Sequence, residues 1–381
     1  MKRTMIYASM FTVAVFFTLG ICQVSGAADN VKTIRIHSQM PVGNYLTKSV
    51  DLFISEATKK SNGSLKFIHY PAQQLYKDST ICEAVPKGLI EMGMAMNISP
   101  WNGKAPEVNL AGLTCVWDDY DHYVRYTYDY VNGGGFEQYL YDIGKKKMNL
   151  INLGAYPYGR NMELLSRTPI RTEADWKGKK IRASAHAQNV FSEAMGATSI
   201  FTSSSETYMA LQHGVMDGIQ TGLTSMVSRK WMEIAKHVTD IPGLFPYEYH
   251  TFINLDFWNS LDKTQKKVII DSWLVAARYD EKEVYEEFAT NKKILEKNGV
   301  TYYTLPKDVA EAWKKKGIPK IKELLIKPAV GGNETEYNRI LQMIEKTKNL
   351  PPSSDKPENY DLPFKMYDSW HKWFSAKEGL N

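Results

Sequence analysis

The chain has 381 residues, 43% of them hydrophobic, which is enough for two ordinary domains with sizeable buried cores. Its formal charge of +5 falls to +3 without Lys2 and Arg3, a near balance that argues for neither nucleic-acid binding nor an acidic partner surface. Three cysteines in so long a chain exclude a disulfide framework, and the eight histidines are scattered without metal-ligand spacing, so neither metal nor cofactor is expected.

Residues 1–27 read as a secretory signal peptide. Lys2 and Arg3 give a positive start, 6–21 is an apolar run, and Ser25, Gly26, Ala27 and Ala28 form a small-residue cleavage tail. The run is short for a span of ~20 apolar residues. Ile21 before Cys22 does not suit lipoprotein processing. Cleavage predicts a periplasmic protein in which Cys82 and Cys115 remain, either paired or as two buried thiols.

The mature chain opens with an alternating strand at 33–37, followed by a helix at 45–60 ended by Asn62-Gly63. A strand at 65–69, a short helix at 81–85 and a strand at 90–96 complete a parallel α/β unit. Ligands of open α/β sheets lie beyond the carboxyl ends of the strands, which nominates Gln39, the Tyr76 region, Asn97 and Trp101 as one wall of a site. Two helices within 120–141, broken at Gly133-Gly134-Gly135, lead to an apolar strand at 148–156 that crosses into a second domain. There the pattern repeats: strand 180–183, helix 190–195, strand 199–201, then a Ser203/Glu206 capping box and a helix to Leu211. A strand at 215–219 places Gln220, Thr221 and Gly222 at its carboxyl end, before a helix over 226–237.

Residues 250–254 form a strand returning to the first domain. The helical pattern of 264–298 is on the order of 50 Å long at 1.5 Å per residue, so it spans both domains. Helices at 308–326 and 334–348 precede a Pro-rich tail from Leu350 and an aromatic close at Trp370 and Trp373. The resulting division is lobe I, 28–157 with 248–280, and lobe II, 158–247 with 281–381.

Little here supports catalysis. Capping explains Ser203 to Ser205, no G-x-S-x-G elbow occurs, and the adjacent Asp118 and Asp119 point apart. Asp217 suits a turn or strand end, and the triple glycine lacks phosphate-loop spacing. Arg160 and Arg182 stand out instead. A guanidinium offers a planar fork that meets a carboxylate or sulfonate through two parallel hydrogen bonds. The competing reading is a salt bridge with Glu163, Glu173 or Asp175.

The run Asp175-Trp-Lys-Gly-Lys-Lys-Ile-Arg182, then Gly196-Ala197, then Ser205-Glu206-Thr-Tyr208-Met-Ala210-Leu211-Gln212-His-Gly214-Val-Met-Asp217-Gly218, resembles the TRAP-type extracytoplasmic solute-binding family. Pro71-Ala72-Gln73-Gln74-Leu75 and Lys87-Gly88-Leu-Ile-Glu91-Met92-Gly93 resemble its earlier strand regions, and the likeness covers nearly the whole mature chain. The resemblance implies an α/β, two-lobed periplasmic-binding-protein fold with a long domain-spanning helix, closing on a small organic anion. It also implies delivery to TRAP membrane permease subunits, with Arg182 clamping the ligand's carboxylate and Arg160 assisting. Gln39, Asn97, Gln220 and Thr221 would read the rest of the ligand, with Trp101, Tyr158 or Tyr249 stacking on it. The chain departs from the family at Ile219-Gln220-Thr221-Gly222, where Glu-Asn-Pro is usual, and in the proline-free loop after Arg182. Dicarboxylates, sugar acids, aromatic or keto acids and sulfonates all satisfy such a fork. A periplasmic hydrolase on the same scaffold and a sensor partner of a membrane receptor are the alternatives.

Overall fold

The computed structural model describes residues 31–129, 135–159, 161–244, 247–348 and 361–381. The expected leader, most of the triple glycine, Arg160 and most of the Pro-rich tail lie outside the described residues. In chain order the strands are β1 (Lys32–His37), β2 (Leu65–Tyr70), β3 (Met92–Met96), β4 (Leu150–Gly159), β5 (Glu163–Ser166) and β6 (Lys180–Arg182). Then come β7 (Thr198–Ile200), β8 (Gly218–Thr221), β9 (His237–Asp240), β10 (Tyr247–Asn254) and β11 (Thr301–Thr304).

They form two sheets, ordered β2-β1-β3-β10-β4 and β11-β9-β5-β8-β6-β7. In the first, β1 runs parallel to β2 and β3, and all five residues of β3 (Met-Gly-Met-Ala-Met) are buried, as a central strand covered on both faces requires. β10 enters antiparallel between β3 and β4, closing that sheet with chain that has already passed through the second lobe. In the second sheet β6 is parallel to both β7 and β8, so the ends of β6 and β8 open on the same side. That places Arg182 and Thr221 at carboxyl termini facing the first lobe.

The long helix runs Lys263–Lys297, within a residue of expectation at each end. It begins at a reciprocal cap: Gln265 N donates to Asp262 Oδ1 (2.8 Å) and Asp262 N donates to Gln265 Oε1 (3.1 Å). It packs on β4, on the helix Tyr45–Lys60 and on the second-lobe helix Leu223–Ser228, so it does contact both lobes. Gly154 makes the close approach possible: at φ 129° it lies where a Cβ would sit 2.3 Å from Trp273 of the long helix. The last helix, Asp361–Lys377, lies against the first lobe, where Trp370 Nε1 donates to Leu153 O (2.7 Å). This helix therefore departs from the expected division, which places 281–381 in the second lobe.

Several expected elements differ. The helix over 226–237 ends at Ser228; Lys230 turns the chain at φ 59°, and His237 begins β9 instead. The strand expected at 215–219 is β8, so Gln220 and Thr221 are inside it rather than after it. No capping box forms at Ser203: Thr207 begins the helix Thr207–Gln212, Ser203 Oγ shares a hydrogen bond with Ser205 Oγ, and Glu206 is drawn off into an ion pair. Cys82 and Cys115 are both buried free thiols, and burial pushes Cys115 up to about 12.

Candidate functional site

The carboxyl ends of β1, β3, β6 and β8 converge on the seam between the sheets. Contacts from one lobe to the other close it. Asn97 Nδ2 donates to Ser184 O (2.7 Å), Asn44 Nδ2 to Thr224 Oγ1 (2.9 Å), and Ser204 Oγ to Asp78 Oδ2 (3.2 Å). Arg229 Nη2 donates to Gln39 O (2.9 Å), and Lys77 Nζ pairs with Glu206 at 2.8 Å. Within the seam is a cavity of about 180 Å3 walled by Asp78, Asn97 and Ser99 of the first lobe and Arg182, Ser184, His186 and Asn189 of the second.

Arg182 is its most unusual group. Only 3% of the residue is exposed, and the guanidinium meets no carboxylate at hydrogen-bond distance. Nε donates to Thr202 O (3.1 Å) and Nη2 to Ser204 Oγ (3.1 Å), while Nη1 donates to nothing among the described residues. The salt-bridge partners offered by the sequence are engaged elsewhere or left alone. Glu173 pairs with Lys316, Asp175 accepts from the backbone of Arg171 and Thr172, and both Glu163 oxygens are unpartnered. Burial pulls the guanidinium's pKa down; Asp78 and Tyr249 oppose that, and the charge of Arg229 adds to it. A guanidinium so held, with donor capacity in hand, suits an incoming anion.

Of the other residues nominated from the sequence, Asn97 lines the same cavity, its Oδ1 accepting from Tyr247 Oη (2.6 Å). Gln39 stands behind it, its Oε1 accepting from Asn97 N (2.7 Å). Tyr158 and Tyr249 form an edge-to-face pair (4.7 Å between centroids), with Tyr158 Oη hydrogen-bonded to Ser225 and to Thr221 Oγ1. Burial raises both phenols, while the nearby Arg182 and Arg229 charges work the other way. Gln220 is turned away, its Nε2 donating to Ser192 Oγ (2.8 Å). Trp101 does not reach the cavity: it is 0% exposed, packed on Phe252 at 5.1 Å in the first lobe's core. An indole after a strand end is apolar area first, and the core took it. Arg160 lies outside the described residues.

Two residues escaped the sequence reading. Arg229 and Arg182 both approach the Trp231 ring, with the guanidinium carbons 5.8 and 5.9 Å from its centroid, so a second cation stands near the clamp. Asp78 supplies a carboxylate to the cavity wall. Arg229 lies inside the stretch 226–237 that reads as helix, and Asp78 sits among ordinary turn residues, so neither carried a signal.

One hydrogen-bonded chain has the outline of a hydrolase triad: Ser38 Oγ to His69 Nε2 (2.8 Å) and His69 Nδ1 to Asp51 Oδ1 (2.9 Å). Ser38, however, is 0% exposed, so its hydroxyl is not presented at the surface, and it does not line the seam cavity. The chain ties the ends of β1 and β2 to the helix Tyr45–Lys60.

Two α/β lobes, strands that cross between them, one long helix touching both and a cavity at the seam lined by Asp78, Asn97 and Arg182 define a two-lobed solute-binding fold. The chain belongs to the family of bacterial extracellular solute-binding proteins, family 7, whose profile matches residues 37–327, and it is of the TRAP type. It is 26% identical over 257 residues to the sialic acid-binding periplasmic protein SiaP of Vibrio cholerae, covering 66% of this chain and 77% of that protein. It is 27% identical over 216 residues to the C4-dicarboxylate-binding periplasmic protein DctP of Rhodobacter capsulatus, covering 56% and 62%. In fold it matches a TRAP periplasmic solute binding protein from Desulfovibrio salexigens with bound orotic acid (TM-score 0.72, 23% identity, 81% of this chain and 99% of that one). A second match is the corresponding protein from Desulfovibrio desulfuricans with bound sn-glycerol-3-phosphate (TM-score 0.74, 21% identity, 85% and 100%).

Proposed function

We propose that this protein captures a small organic anion in the seam between its lobes and delivers it to the membrane permease of a TRAP transporter. The observation that carries this reading is Arg182 itself: only 3% exposed, lining a cavity, and donating to a carbonyl and a hydroxyl but to no carboxylate. Arg182 would hold a carboxylate or sulfonate through its fork, with Arg229, and Arg160 as the sequence resemblance implies, adding positive potential. Asn97, supported by Gln39 and Tyr247, would present its amide to the ligand, and Thr221 with Tyr158 and Tyr249, which do not line the cavity, would brace it from behind. Trp101 and Gln220 would act only by packing behind the site.

The cross-lobe hydrogen bonds would form when a ligand bridges the lobes, and the closed shape would be what the permease recognises. A two-lobe division with the last helix counted in the first lobe, a cleaved leader over 1–27 and a periplasmic location fit this role. Relatives that bind sialic acid, C4-dicarboxylates, orotate and glycerol phosphate all handle anions, which supports an anion here without choosing one.

A thermal-shift screen of carboxylates, sulfonates and phosphate esters tests the reading. A ligand present at 100 times its Kd should stabilise the protein by about 2.7 kcal/mol, and a screen in which neutral sugars shift the melting temperature while no anion does would overturn it.

A further inference from the structure

We propose that Asp78 selects ligands carrying a hydrogen-bond donor beside the anionic group, so that the preferred ligand is a hydroxy- or amino-substituted monocarboxylate rather than a plain dicarboxylate. This rests on the anion-capture reading and concerns the group next to the anion on the same ligand.

Asp78 belongs to the first lobe, Arg182 to the second, and both wall the 180 Å3 cavity. They do not pair directly. Ser204 stands between them, its Oγ accepting from Arg182 Nη2 (3.1 Å) and donating to Asp78 Oδ2 (3.2 Å), while Ser204 N reaches the same oxygen at 3.4 Å. Asp78 is 7% exposed, and its Oδ1 is buried with no hydrogen bond. A carboxylate accepts about four hydrogen bonds, so this one is left well short. Asn189 Oδ1, in the same wall, is also buried without a partner.

The site therefore holds a guanidinium with donor capacity and, one bridging hydroxyl away, a carboxylate that accepts too few hydrogen bonds. A ligand with only a carboxylate satisfies the first and leaves the second desolvated, which is costly for a buried charge. A dicarboxylate does worse, because its second anion would face the Asp78 charge. A hydroxyl or ammonium group supplies the missing donor. Water-sized sites of ~10–15 Å3 each put on the order of a dozen atoms in the cavity, the size of a six-carbon acid.

Calorimetric titration with hexanoate, succinate, gluconate and norleucine separates the possibilities. In the wild type, gluconate or norleucine should bind at least tenfold more tightly than hexanoate and succinate. Asp78→Ala should bring that ratio close to one while the unfolding temperature stays near wild type. Asp78→Asn should recover part of the preference if the donor is a hydroxyl and none if it is an ammonium. Hexanoate or succinate binding as tightly as the donor-bearing acids, or an unchanged ratio in Asp78→Ala, would overturn the proposal while leaving anion capture intact. An Arg182→Ala variant that binds all four acids like wild type would instead overturn the anion clamp.

Discussion

Arg182 and His250 are both basic side chains with almost no exposure, 3% and 0%, yet their surroundings differ in kind. His250 Nε2 lies 3.0 Å from Glu137 Oε1 and 3.5 Å from Glu248 Oε1, and Asn152 Nδ2 donates to the other Glu137 oxygen at 2.7 Å. Burial pushes the imidazole's pKa down, but the charge and hydrogen bond of Glu137, helped by Glu248, more than offset this and leave it raised. Arg182 donates only to a carbonyl and a hydroxyl, with no carboxylate in contact and a cavity beside it. A charge compensated from within holds a lobe together; one left uncompensated beside open space awaits a partner from outside.

That contrast can be broken from either side. Glu137→Ala should have the largest effect, removing the imidazole's hydrogen-bonded carboxylate and leaving it only Glu248 at 3.5 Å, and we expect about 3 kcal/mol lost in denaturant unfolding with anion affinity of the folded protein unchanged. Next is the pH dependence of stability. Burial pushes the Glu248 carboxyl up to about 8, with Glu137 raising it further against the opposing His250 charge. A raised carboxyl contributes stability fully below its unfolded value of 4.5 and loses it as pH climbs through 8, and the raised His250 acts in the same sense. Melting temperature should therefore fall between pH 5 and 8, and Glu248→Gln, which cannot titrate, should flatten that fall. The smallest expected effect is that of Arg182→Ala on stability. Removing a charge that has no internal partner should leave the unfolding temperature of the ligand-free protein level or slightly raised.

Arg182 was legible in the sequence because a strand exit, a following glycine-rich pattern and a family likeness coincide on it. The long helix was legible because its apolar positions repeat over 35 residues between a strong cap and Asn298-Gly299. What stayed hidden depends on chain that is distant in sequence. Glu137 and His250 are 113 residues apart, Asn97 and Ser184 are 87 apart, and only the return of β10 into the first sheet unites the former pair. The stretch 226–237 misled because its composition suits a helix, while the turn at Lys230 is imposed by Trp231 packing in the second lobe's core. Trp101 misled in the opposite direction, a surface-facing position by pattern that the core claimed by area.

The most direct test of the central claim is calorimetric titration of wild type and Arg182→Ala with the best organic acid from the thermal-shift screen. The account predicts a loss of at least the ~1.5–3 kcal/mol of a charged hydrogen bond, in a variant that still unfolds at the wild-type temperature. Undiminished affinity in that variant would contradict it.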